Sequence, residues 1–157
     1  SNGMTINPEK CDFAQEFTLL CKSLEQRVSE PSVKFITENP YSSLMVNIDK
    51  GRISQVITNF LTNSVKYTHE GHIKLGYIVK DNGLRIYCED TGSGIPKDKL
   101  EKIFERFFKV NEYIQGAGIG LSICKAIVNK CEGKIGVESE EGKGSTFWIW
   151  VPCEIFI

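Results

Sequence analysis

Two alternating runs, Ile73 to Val79 and Leu84 to Glu89, stand on either side of Asp81-Asn82-Gly83, and that arrangement predicts a β-hairpin. The second run continues into Asp90-Thr91-Gly92-Ser93-Gly94-Ile95-Pro96. Leu84, Ile86 and Cys88 share the parity of Asp90, so a regular strand turns its carboxylate inward with them. A buried carboxylate without a partner is costly. The economical expectation is that Asp90 accepts from a donor on a ligand, with Gly92 and Gly94 letting the backbone pass close to it.

Upstream, Ile53, Val56, Ile57, Phe60, Leu61, Ser64 and Val65 follow helical spacing within Lys50 to Thr68 and form one buried stripe. Asn59, Asn63 and Lys66 lie along one flank of that stripe, beside the apolar arc rather than opposite it. Asparagine is a mediocre helix former, so two of them bordering a core suggest the polar wall of a cleft. Amide oxygens suit a hard cation such as Mg2+, and a lysine suits the phosphates that accompany it. The plain alternative is a pair of solvated asparagines.

A third segment, Gly116-Ala117-Gly118-Ile119-Gly120-Leu121, runs into a helix with Ile119, Ile123, Ala126 and Ile127 on one face. Free N–H groups at the positive end of a helix make a phosphate seat. The alternative is a glycine-rich connection that only lets the helix start. The segment is not a dinucleotide fingerprint, because no strand immediately precedes it, and Gly142-Lys143-Gly144-Ser145 does not have Walker A spacing.

In this order the segments strongly resemble the catalytic ATP-binding domain of sensor histidine kinases (HATPase_c), a branch of the GHKL superfamily shared with type II topoisomerases, Hsp90 chaperones and MutL proteins. Asn59-Phe60-Leu61-Thr62-Asn63-Ser64-Val65-Lys66-Tyr67-Thr68 is similar to the N box, and Asp90-Thr91-Gly92-Ser93-Gly94 to the first glycine box. Ile103-Phe104-Glu105-Arg106-Phe107-Phe108 resembles the F box, Gly116 to Leu121 the second glycine box, and Gly142-Lys143-Gly144-Ser145-Thr146-Phe147 the strand-entering motif near the end. The resemblance covers nearly the whole chain.

It implies ATP and Mg2+ as cofactors. Asn63 would coordinate the metal, with Asn59 a second candidate; Lys66 and Lys109 would contact phosphate, and these with Asn63 would be the catalytic group. Tyr67 would lie against the adenine ring and Asp90 would accept from its 6-amino group. Gly92, Gly94, Ile95, Gly116, Gly118, Ile119, Gly120, Leu121 and Thr146 complete the implied nucleotide contacts. Lys109 stands where the family commonly has arginine, which keeps the charge and loses the planar fork. The segment 109–115 would be a short nucleotide lid.

The implied fold is α+β, the Bergerat ATP-binding fold: a two-layer sandwich of a mixed, mostly antiparallel sheet with helices on one face. Asp12 is expected to cap a helix reaching about Val28. Strands are expected at Val33 to Thr37 and Leu44 to Ile48, and a second hairpin at Ile135 to Glu138 and Thr146 to Val151, after a helix ending near Gly133. Ser1-Asn2-Gly3 is expected to be an expression remnant, and residues 4–157 one domain.

The partners implied are a helical dimerisation and phosphoacceptor domain of the parent protein and a response-regulator receiver domain. His69 and His72 flank Glu70-Gly71 in what looks like an exposed turn, and nothing in the chain resembles the acceptor helix. Lys and Arg number 19 against 20 Asp and Glu, a net charge of −1, which does not suggest a nucleic-acid face. No apolar run reaches membrane-spanning length, so a cytoplasmic domain without direct membrane contact is expected, whether or not the parent is anchored. The cysteines at 11, 21, 88, 124, 131 and 153 form no CxxC pair and are expected to be reduced thiols at apolar positions. Trp148 and Trp150 are expected to be packing or surface residues. Two other functions stay open: an ATP-binding regulatory module that has lost transfer, toward which only the Lys109 departure points, and a serine kinase of the anti-sigma type or an ATPase of the topoisomerase or chaperone kind, which shares the Asn63 and Asp90 logic.

Overall fold

The computed structural model of the protein describes residues 4–105 and 120–157. The hairpin forms as the sequence predicts: β4 (Gly71–Lys80) and β5 (Gly83–Asp90) pair antiparallel, with Lys80 opposite Gly83. Its two central residues are Asp81 and Asn82, at φ +50° and +59°. Asp and Asn tolerate this left-handed region better than other non-glycine residues, and two such residues match the twist of the flanking strands.

β5 is the middle of a five-stranded sheet in the order β2-β4-β5-β7-β6. The other members are β2 (Val33–Glu38), β6 (Lys134–Glu140) and β7 (Gly144–Pro152). Only β2 and β4 run parallel, so the sheet is mixed and mostly antiparallel. The inner face carries Leu75, Tyr77, Leu84, Ile86, Cys88, Phe147, Ile149 and Val151, all essentially buried. Against it pack α1 (Phe13–Glu25), α2 (Lys50–Tyr67) and α3 (Gly120–Lys130). Phe60 of α2 meets Phe147 of β7 at 5.4 Å between ring centroids, and Phe13 of α1 meets Tyr77 of β4 edge-on at 4.7 Å. Each such large side chain contributes about 1.5–3 kcal/mol by leaving water.

Asp12 caps α1 by accepting from the backbone N–H groups of Ala14 and Gln15, and the helix ends at Glu25 rather than near Val28. Beyond it, Val28 N–H donates to the Glu25 carbonyl at 3.1 Å in a terminal turn. Asp49 caps α2 through Arg52 N–H. A second, three-stranded sheet, β1-β3-β8, adds to the architecture that the sequence predicts. It joins β1 (Glu9–Asp12), β3 (Met45–Ile48) and β8 (Ile155–Phe156). The expected strand at Leu44 to Ile48 therefore belongs to a different sheet from the one at Val33.

Cys11, Cys21, Cys88 and Cys124 are buried and all six thiols are free. Burial pushes the thiols of Cys88 and Cys124 up to about 12, which keeps them protonated and unreactive. No described helix is long and apolar enough to cross a membrane.

Gly94 sits at φ +72°, and a Cβ there would fall 2.2 Å from the carbonyl oxygen of Glu140. Strain and a clash with backbone combine, so Gly94→Ala is expected to cost about 2–4 kcal/mol. A lowered urea midpoint with unchanged slope would show it.

Candidate functional site

Where β5 ends, Asp90 is 4 % exposed and points inward as its parity requires. The chain itself supplies donors. Ser64 Oγ on α2 donates to Asp90 Oδ2 at 2.7 Å, and the N–H groups of Gly92 and Ser145 donate to Oδ1 at 2.9 and 3.3 Å. The expectation that Asp90 depends on a ligand for a partner is therefore corrected: the carboxylate is already held, as an oriented acceptor on a fixed frame. Ser64, which the helical periodicity places in the apolar stripe, is fully buried. A serine within such a stripe, facing a buried carboxylate, was the available signal.

Gly92 is needed for close approach. A Cβ there would come within 2.8 Å of both Thr68 Oγ1 and the Tyr67 carbonyl oxygen, so only glycine lets this loop lie against the C-terminal end of α2. The following residues are fixed from the far hairpin. Ser139 Oγ of β6 accepts from Ile95 N–H at 2.8 Å, lies 2.8 Å from Ser145 Oγ and donates to the Gly144 carbonyl at 3.0 Å. Ile95 is 1 % exposed beneath them.

Thr146 is corrected by this geometry. It pairs with Glu89 and Glu138, so it occupies the outer face of the sheet, whereas Ser145, opposite Asp90, is 3 % exposed on the inner one. Counting back from Phe147 by twos gives Ser145, a parity signal that was legible.

On α2 the three flank residues part company. Asn63 is 3 % exposed, which excludes a solvated asparagine, and its buried Oδ1 has no hydrogen-bond partner among the described residues. Such an oxygen costs about 1–3 kcal/mol unless a ligand satisfies it. Asn59 turns instead to α3, where its Nδ2 donates to the Gly120 carbonyl at 3.3 Å and approaches Cys124 Sγ at 3.6 Å. That bond makes Asn59 a brace between helices. Lys66 is exposed, with Nζ 5.6 Å from the ring centroid of half-buried Tyr67. Leu121, at the start of α3, is fully buried.

The amide oxygen of Asn63 and the cation of Lys66 fit a Mg2+-bound polyphosphate by donor chemistry. Lys109, the segment 109–115, Gly116, Gly118 and Ile119 lie outside the described residues, as does the F box from Arg106 onward. Its start is visible: Ile103 is fully buried and Phe104 packs on the core. His72 lies in β4 rather than in a turn, with Nε2 2.6 Å from Glu89 Oε2.

Residues 48–155 match the family model described as histidine kinase-, DNA gyrase B- and HSP90-like ATPase. The chain belongs to this family. Among curated proteins it is 38 % identical over 158 residues to the sensor protein kinase WalK of Staphylococcus epidermidis strain RP62A, an alignment covering 96 % of this chain and 25 % of WalK. The chain thus spans about a quarter of such relatives. Full-length ShkA in complex with AMPPNP superposes with a TM-score of 0.87 at 27 % identity, covering 98 % of this chain and 32 % of ShkA. The nucleotide-free catalytic domain of histidine kinase ThkA gives 0.80 at 29 %, covering 93 % of this chain and 95 % of that one. The α+β fold is therefore that of histidine kinase ATP-binding domains.

Proposed function

We propose that this chain is the ATP-binding catalytic domain of a sensor histidine kinase, which positions Mg-ATP for transfer of the γ-phosphate to a histidine on a separate helical domain of the parent protein. The observation that carries this reading is the pairing of a held acceptor, Asp90, with a buried amide oxygen on Asn63 that has no hydrogen-bond partner among the described residues, across α2 and β5. One end suits the 6-amino group of adenine and the other a metal-bound phosphate tail. The AMPPNP bound to ShkA supports the nucleotide, and the similarity to WalK supports the parent's class.

Asp90, fixed by Ser64, Gly92 and Ser145, would select adenine with a charge-assisted hydrogen bond. Ile95 and Leu121 would supply apolar surface, and Tyr67 would lie along the ring. Asn63 would hold Mg2+, with Asn59 bracing α3 beside it. The bound ion would neutralise charge on the phosphate oxygens. Lys66 and Lys109 would add cations at the tail, and the backbone N–H groups of Gly116, Gly118 and Gly120 a phosphate seat. The acceptor histidine would attack the γ-phosphorus through its unprotonated ring nitrogen, forming a P–N bond as the bond to the β–γ bridging oxygen breaks and ADP leaves, and the proton on its other ring nitrogen would then be released. For this step the protein mainly positions and neutralises. A receiver domain would take the phosphoryl group onward.

The isolated chain is expected to bind Mg-ATP without labelling itself. Incubation with radiolabelled ATP checks this: acid-labile phosphate at one per chain on His69 or His72 would overturn it. Added in trans, a matching dimerisation domain is expected to accept label slowly, because separation removes the high effective concentration that tethering provides.

A further inference from the structure

The outer face of the main sheet carries a second pocket, separated from Asp90 and Asn63 by the thickness of the sheet. β5, β7 and β6 present Arg85, Trp150 and Lys134 in one cross-strand row, and Tyr87, Trp148 and Gly136 in the next. With Asp81 and Glu138 at its margins it is a half-open cleft of about 460 Å3, within the size range of small-ligand sites.

Its aromatic walls are held in place. Trp148 lies against Gly136, where a Cβ would come within 2.5 Å of indole Cζ2, and Trp150 Nε1 donates to the Lys80 carbonyl at 2.8 Å. The Arg85 guanidinium stands 5.7 Å from the Trp148 ring and 5.5 Å from Tyr87. No carboxylate among the described residues forms an ion pair with Arg85 or Lys134. Indole plates stack flat rings, Arg85 and Lys134 attract an anion, and the carboxylates of Asp81 and Glu138 accept from ring N–H or amino groups.

We propose that this outer-face pocket binds a small planar heteroaromatic anion of the nucleotide class, its ring on Trp148 and Trp150 and its phosphate on Arg85 and Lys134. Extended nucleic acid fits less well, because acidic side chains share the pocket and the chain carries a net charge of −1. The site is independent of the ATP reading, since the two lie on opposite faces of β5 and β7.

Trp148 and Trp150 are the only tryptophans in the sequence, so intrinsic fluorescence reads this pocket directly. The probe is 5′-GMP, titrated into the full chain, with guanosine and inorganic phosphate as separate arms. GMP is expected to change the emission saturably in the native protein and equally in Asp90→Asn. Guanosine is expected to bind about tenfold more weakly, and Arg85→Gln to weaken GMP about tenfold. Phosphate alone is expected to give no saturable change. Lys134→Gln repeats the test if Arg85→Gln loses its circular dichroism. A linear, unsaturable response, equal affinity in the native and Gln variants, or loss of the signal in Asp90→Asn would overturn the proposal. So would saturation by a short oligodeoxythymidine at lower concentration than GMP, which would make the face a single-strand surface.

Discussion

Asp90→Asn is expected to weaken ATP binding by roughly 10- to 150-fold while leaving the fold intact. The first half follows from charge: a buried hydrogen bond to an ionised acceptor is worth about 1.5–3 kcal/mol. An amide also offers an N–H that can confront the adenine amino group donor to donor. The second half follows from the frame around the side chain. The backbone N–H groups of Gly92 and Ser145 can still donate to an asparagine oxygen, and Ser64 Oγ, 3.4 Å from Cys88 Sγ, can rotate to accept from the new Nδ2. Calorimetry with ATP, alongside thermal unfolding, checks both halves. Unchanged affinity in a folded variant would remove Asp90 from adenine recognition, and a collapsed Tm would make its role structural.

The sequence was most legible where chemistry and periodicity coincide. Period-two runs around Asp81-Asn82 gave the hairpin, and the same parity turned Asp90 inward. What it hid was the origin of Asp90's partners. Ser145 lies on β7 and Ser64 on α2, and only the folded sheet brings them to one carboxylate. Thr146 shows the cost of carrying a motif across without counting faces: one residue along a strand reverses the side of the sheet. Asn59 and Asn63 share a helical flank in sequence, yet α3 takes up the first and the buried oxygen of the second has no partner among the described residues. Periodicity places residues on a face and cannot say what packs against it. β1 and β8 escaped for a related reason. Glu9-Lys10-Cys11-Asp12 and Ile155-Phe156 are short and lack alternation, and they become strands because β3 lies between them.

Asn63→Ala is expected to abolish most of the Mg2+-dependent gain in ATP affinity and to suppress transfer to a supplied acceptor domain, with adenosine binding barely changed. The fold predicts a further sign. Alanine is the better helix former by about 0.5 kcal/mol, and removing an unsatisfied buried oxygen relieves about 1 kcal/mol or more, against a small loss of packing. The variant is therefore expected to unfold at a temperature equal to or above that of the native protein while losing the metal effect. A purely structural asparagine would give the reverse: lower stability, with ATP and adenosine affinities falling together whether or not Mg2+ is present. Titrating both ligands into both proteins, with Mg2+ and with EDTA, separates the cases. Equal Mg2+ dependence in the two proteins would remove Asn63 from the metal site and leave its buried oxygen to be satisfied by something other than a cation.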